Sequence, residues 1–589
     1  MVSKVVASRS TSRSVSPTSD RVGAARAAWL MAAVMSTSCG GASLGVDQPA
    51  ADLVLVGGAV MTVDPEMPRA EALAVRDGRI VAVGRDRDIL PWIGSGTRVI
   101  NLNGRSVTPG LTDAHAHLYG LGSSMDNVSL RGATSEEEAA QRAAAAATSL
   151  PAGDWLIGRG WDQNLWPKKE FPTAATLDKL VGDRPAALRR VDGHAVWVSS
   201  AALKVAGIDK DTPDPKGGVI ERGAGGAPSG VLVDSAMELV ESKIPEPSAQ
   251  VIERRILVAA KVALEAGITC VHEMGISDRI ADIYRNLADE QRLPLRIYAY
   301  LAGDSVTAEA LARRVAEIDR DGSQMFVMRG VKFFVDGALG SRGARLLAPY
   351  SDDPDNSGLW VMQPGELQRA VEAATEAGWQ SAIHAIGDAG VRATLDAYQA
   401  VSQAQPHEDL RLRVEHSQVV SLEDIPRFAK LGVIASMQPT HATSDMPWAE
   451  ARLGAERVKG AYAWRSLLDT GAHVAFGSDF PVEEVPPLGG LYAAVTRQDA
   501  KGQPPGGWTP GERITLDEAV RAFTLEAAYA AFADKHRGQI KPGMLADLTV
   551  YDRALAPDRS LLETTVDFTI VGGKIVHERK AAAAGVPAK

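Results

Sequence analysis

The chain has 589 residues, of which 45% are hydrophobic and 23% charged, and its formal net charge is −10 at pH 7. That length exceeds a usual single domain, so two domains plus a tail are expected around a large core. The acidic balance argues against nucleic acid as a partner, because no basic face is available for phosphates, and two cysteines, Cys39 and Cys270, do not make a disulfide framework.

The first 47 residues read as a leader and linker. Basic and serine-rich sequence runs to about position 26. An apolar run over 27–35 and small residues over 36–41 follow. Basic, apolar, small is the layout of a secretory signal, and the apolar run is too short to span a bilayer permanently. Cys39 followed by two glycines resembles a bacterial lipoprotein signal, with Cys39 as the lipidated residue. Ser36 departs from that pattern, which prefers a branched apolar residue there. The expectation is an exported protein anchored to the envelope through Cys39. A cytoplasmic enzyme with an unprocessed leader is the alternative.

Residues 51–107 read as short strands. Asp77-Gly78 between two alternating apolar runs is a hairpin signal. Residues 537–580 have the same texture. Neither segment could bury a core alone, so both chain ends are expected to form one small β-sandwich around the catalytic domain. Residues 581–589 read as a disordered tail.

Between them, residues 108–536 alternate strands with helical patterns, which predicts an α/β fold of (β/α)8 TIM-barrel type. Eight barrel strands are expected to end near His117, His194, His272, Lys332, His384, His416, Gln438 and Asp479. Two insertions are expected, over 118–184 with an alanine-rich helix near 142–148, and over 208–245 with proline- and glycine-rich loops. Cys270 is expected to be a buried apolar side chain.

The strongest chemical signal is His115-Ala116-His117 at the end of the first of these strands. Side chains two apart on a strand share a face, so both imidazoles can reach one metal ion. A bare HxH is weak. Lys332 in an apolar run, His384, His416 and Asp479 at later strand ends make an ordered set, and zinc-like metals favour such nitrogen and oxygen donors.

The order HxH, Lys, His, His, Asp resembles the binuclear amidohydrolase superfamily. The strings GWDQNLWP (160–167), VDGHAVWV (191–198), VKFFVDGALGSRGA (331–344), ASMQPTHATSDMPWAEARLG (435–454) and AFGSDFPVE (475–483) narrow it to the amidohydrolase 3 branch, which includes N-substituted formamide deformylases. The resemblance covers about 51–580. It is specific for fold and metal site and unspecific for substrate.

The resemblance implies two divalent metals, with zinc expected. His115 and His117 would hold one with Asp479, and His384 and His416 the other. A bridging anion is needed between two dications, and an ammonium has no acceptor atoms. Burial beside metals should lower the Lys332 pKa, and the neutral amine would then take up carbon dioxide as a carbamate with one oxygen per metal. An ordinary Lys332 paired with Asp336 or a backbone carbonyl is the alternative, with Glu273 then the next acidic bridge.

A metal-bridged hydroxide would then attack a small-molecule substrate, and Asp479 would carry the proton to the leaving amine. The expected activity is hydrolysis of a non-peptide carbon–nitrogen bond in an amide, formamide or cyclic amide. A metal-dependent decarboxylase or C–O hydrolase is the alternative enzyme, and an exported, non-catalytic metal-binding protein the alternative outside enzymes. Substrate contacts are expected from His194, Arg342, His441 and Trp161. His407, His473, His536 and His577 have no motif context. Substrate, metal identity and any homo-oligomer stay open.

Overall fold

Eight parallel strands form the centre of the computed structural model. It describes residues 50–580 apart from 149, 151–153, 224, 304–305 and 406–408. In chain order the barrel strands are Leu111–Ala116, Ile268–Ile276, Arg296–Ala302, Phe326–Phe334, Gln380–Ala385, Arg413–His416, Ile434–Met437 and Val474–Phe476, each hydrogen-bonded to the next. The Asp479 amide donates to the His115 carbonyl at 2.7 Å and draws the last strand's end to the first. Apolar side chains on the outward faces pack against helices such as Ala249–Glu265 and Asp388–Ala404. Cys270 is buried in the second strand, as expected.

One expected barrel strand is corrected. Ala195–Val198, next to His194, pairs antiparallel with Ala186–Arg190 and Pro228–Asp234, so it cannot belong to an all-parallel barrel. The third barrel strand is Arg296–Ala302 instead. It carries no ligand at its end. Its inward Tyr298 and Tyr300 hydroxyls donate to Gln380 Oε1 at 2.9 and 2.7 Å.

The crossover between the first two barrel strands builds its own six-stranded sheet, in the order 218–222, 228–234, 195–198, 186–190, 156–161, 128–129. Segments expected as loops within 208–245 therefore supply two of its strands. The alanine-rich helix spans Glu136–Ala147, longer than expected. Ser135 caps it by accepting from the Glu138 amide, and three glutamates in its first turn complement the helix dipole.

Trp161, Trp166 and Trp197 meet in the core of this sheet, with ring centroids 6.0 and 6.5 Å from Trp161. The Trp161 indole donates to the Leu188 carbonyl at 2.6 Å and is fully buried. Trp161 is thus core packing, not a substrate wall. Trp161→Ala should cost about 3–5 kcal/mol of stability. A fall in the denaturant midpoint of the inserted sheet would show it, and an unchanged midpoint would contradict it.

Outside the barrel lie two further sheets, one built from the N-terminal segment alone and one from both ends. One has the order 79–84, 72–76, 53–56, 98–101. The other joins 574–578, 566–571 and 548–551 to 106–109, 59–61 and 69–70. The expected hairpin turns at Asp77 and Gly78, both with positive φ, as a two-residue turn of this type requires. A buried Arg296–Asp547 ion pair at 2.7 Å and a Thr549 hydroxyl donating to the Gly267 carbonyl fasten the second sheet to the barrel's base. No helix among the described residues is long and apolar enough to cross a membrane.

Candidate metal centre

His115 lies on the inward face of the first strand, almost wholly buried. Its Nδ1 donates to Glu415 Oε2 at 2.6 Å, which leaves Nε2 free toward the barrel mouth. That nitrogen is 3.5 Å from Lys332 Nζ and 3.7 Å from Asp479 Oδ1. His117, just past the strand's end, places Nε2 3.2 Å from the same Asp479 oxygen. Around the mouth the His115, His416 and His384 rings follow one another at 4.6 Å, and the His194 ring lies 4.9 Å from His384.

His416 needs a bend in the backbone. The strand Arg413–His416 alternates, so Arg413 and Glu415 face the barrel axis and His416 should face out. A φ of 71° at His416 and 44° at Ser417 turns the imidazole back to the mouth, where Nδ1 pairs with Gln438 Oε1 at 2.9 Å. Asp479 also sits at positive φ, 61°. The loop before it approaches the first strand closely, because a Cβ on Gly477 would lie 2.5 Å from Asp113 Oδ1. Asp113 accepts from the Ser478 hydroxyl at 2.6 Å and from the His115 amide at 3.1 Å.

Burial pushes His115 down to about 4, and it holds His384 and His416 well below the ordinary imidazole value. Neutral imidazoles are the metal-binding form. Burial pushes the Asp479 carboxyl up, but the neighbouring His117, His115 and His441 outweigh this and hold it well below the usual carboxylate range. Asp479 Oδ1 is buried and takes no hydrogen bond. An ionised oxygen with no donor, facing imidazole nitrogens, is a donor set suited to a cation. Ligand atoms of His115, His117 and Asp479 lie within 4.8 Å of one another, as do those of His416, His441 and Asp479.

Lys332 enters from the fourth strand, 1% exposed, and no carboxylate lies within ion-pair distance among the described residues. Burial pushes its amine down to about 8. The two acidic residues weighed for this position are engaged elsewhere. Asp336 accepts from the Arg345, Ile386 and Gly387 amides instead of pairing with Lys332. Glu273 accepts from the Leu118 and Tyr119 amides, at the start of the helix after His117.

The mouth opens into a cavity of about 300 Å³ whose walls include His194, His384, His416, His441 and Asp479. His194 comes from the inserted sheet, and its Nδ1 pairs with Asp234 Oδ1 at 2.7 Å. Burial pushes His194 down, and the Asp234 carboxylate outweighs it, so the ring is held above its ordinary value. His441 lies 3.8 Å from Asp479 Oδ2. Arg342 does not reach the cavity. It pairs with Asp352 at 3.1 Å on the rim of a neighbouring loop, so the expected contact is corrected. Trp161, as described above, does not reach it either.

Sequence reasoning missed the buried support of the site. Arg413 donates to both Glu415 oxygens, at 2.7 and 3.0 Å, and to the Ala114 carbonyl at 2.6 Å. The signal was present as a charged pair on the inward parity of the strand that ends in His416.

The amidohydrolase family profile matches residues 98–577. Protein LONG AFTER FAR-RED 3 of Arabidopsis thaliana is 37% identical over 539 residues, covering 90% of this chain and 92% of that protein. N-substituted formamide deformylase of Arthrobacter pascens is 29% identical, covering 90% and 98%. The crystal structure of an uncharacterized metal-dependent hydrolase from Pyrococcus horikoshii superposes with a TM-score of 0.68 at 28% identity, covering 85% of this chain and 97% of that one. With a barrel, a donor set and a cavity of this kind, and a profile match over most of its length, the chain belongs to the amidohydrolase family, in its amidohydrolase 3 branch, and is an enzyme.

Proposed function

We propose that the protein hydrolyses a non-peptide carbon–nitrogen bond in a small amide, formamide or cyclic amide. The observation that carries this reading is Asp479, an ionised and buried carboxylate whose Oδ1 faces the His115 and His117 nitrogens on the wall of the cavity. His115, His117 and Asp479 would hold one divalent metal, and His384 and His416 a second, with zinc suited to this nitrogen and oxygen donor set. Such ions, when bound, supply Lewis acidity and lower the pKa of water from about 15.7 to about 7.

The chain's own residues do the rest. Asp479 takes a proton from the attacking water and returns it to the leaving amine. His194, held by Asp234, faces the cavity and would donate to the substrate's carbonyl oxygen as charge develops there. Lys332, buried and without a carboxylate partner, would react as a neutral amine with carbon dioxide. A carbon–nitrogen bond forms, one proton leaves, and the resulting carbamate offers two anionic oxygens where an ammonium offers none.

The Arthrobacter relative's name suggests N-substituted formamides as the first substrates to try. Purified protein should contain divalent metal and turn over at least one member of a panel of formamides, amides and cyclic imides. Bound metal with no turnover on the whole panel would overturn the hydrolase reading.

We also propose export with a lipid on Cys39, a position outside the described residues. Mass spectrometry of the envelope fraction should find a lipid-modified Cys39. Finding the intact leader on soluble cytoplasmic protein would rule this out.

A further inference from the structure

The cavity wall away from the metal-binding residues carries an imbalance of charge. Its two arginines are committed. Arg190 Nη2 pairs with Asp162 at 2.5 Å, its Nη1 pairs with Asp192, and its Nε donates to Gln163 at 2.7 Å. Arg131 donates to the Pro481 and Val482 carbonyls. Two further carboxylates on this wall, Asp445 and Glu483, have no cation within 4.0 Å among the described residues.

Asp445 is the better defined of the two. It closes the short helix Pro439–Asp445 that also carries His441. Its Oδ2 accepts from Gln418 Nε2 at 2.8 Å and from the Tyr462 hydroxyl at 2.6 Å, which fixes the side chain. Its Oδ1 takes no hydrogen bond from any described residue. Burial pushes this carboxyl up to about 7 against the opposing pull of His441 and the Tyr462 hydroxyl, with the nearby Glu483 and Asp162 charges adding to the upward push. A carboxylate held rigidly by two neutral donors, beside a second acid and with no cation within 4.0 Å among the described residues, keeps one oxygen available to a donor on a ligand. The same cavity holds the buried Asp479 oxygen among its metal-binding residues. Leu165, Trp448 and Val482 supply the apolar surface on the wall.

We infer that the substrate carries a cationic group, an ammonium or guanidinium, remote from the bond that breaks and paired with Asp445 and Glu483. This rests on the hydrolase reading above and names the substrate class for it. A cation completes the wall, whereas a carboxylate there would face two like charges across a partly desolvated space.

Three N-formyl alkylamines of equal length, ending in an ammonium, a hydroxyl or a carboxylate, test this on the metal-loaded protein. The ammonium compound should exceed the hydroxyl one by about tenfold or more in kcat/KM, with the carboxylate lowest. Asp445→Asn and Glu483→Gln should each shrink the ammonium-to-hydroxyl ratio toward one, and the ratio is read within each variant, so a general loss of rate does not obscure it. Calorimetry supplies an arm independent of turnover: a linear diamine should bind the wild-type protein about tenfold more tightly than the matched amino alcohol. No turnover with selective diamine binding would overturn the hydrolase reading and leave this inference standing. Turnover with equal rates for all three ends, a preference for the carboxylate, equal binding of diamine and amino alcohol, or a ratio unchanged in both variants would overturn the inference.

Discussion

Asp479→Asn should lower turnover by about 10² to 10⁴ while leaving the fold intact. Asparagine keeps the shape of the side chain and removes both its charge and its capacity to take a proton. The 2.7 Å bond from the Asp479 amide to the His115 carbonyl, which draws the last strand to the first, belongs to the backbone and survives the substitution. The substitution therefore leaves the closure of the barrel alone. Turnover, circular dichroism and metal content measured on one preparation separate the outcomes. Retained metal with lost rate assigns the loss to proton transfer, and lost metal assigns it to binding. A variant with more than about a tenth of the wild-type rate would exclude Asp479 from both roles.

Lys332→Ala should lose metal and, with it, activity by about 100-fold or more. Removing the side chain opens a space in the barrel wall beside His115, on the inward face of the fourth strand. Acetate or propionate should restore part of the metal and part of the rate, since the missing group is an anionic pair of oxygens. Lys332→Arg should not recover, because guanidinium has donors and no acceptors. A mass 44 Da above the unmodified peptide would match carbon dioxide added to an amine (about 44 from the atoms gained, by the carbamate chemistry of a neutral lysine). A bare amine at full metal occupancy would rule out the carbamate.

The features legible in the sequence are those in which one residue type breaks a pattern. His115 and His117 stand out because the strand's period of two puts them on one face, and Lys332 because it is the one charge in the apolar run 331–335. The third barrel strand was illegible as such. Arg296–Ala302 ends without a histidine or acid, so the count of eight was completed by the neighbour of His194, which belongs to another sheet. Strand direction, which distinguishes the two, depends on partners far away in sequence. Glu415 was hidden for a different reason. The parity that places it inside should place His416 outside, and only the turn in the backbone lets adjacent residues serve one site. The loop contact of Arg342 with Asp352, and the burial of Trp161 beneath the inserted sheet, depend likewise on packing that no local pattern records.

The left-handed backbone at His416 and Asp479 sets a limit on how this protein can be improved. Such a conformation costs a residue with a Cβ about 1–3 kcal/mol, and glycine escapes most of that. A lineage released from its reaction would gain robustness by drifting to glycine at either place. Selection for heat resistance alone would push the same way, so directed evolution of this scaffold needs an activity screen in every round.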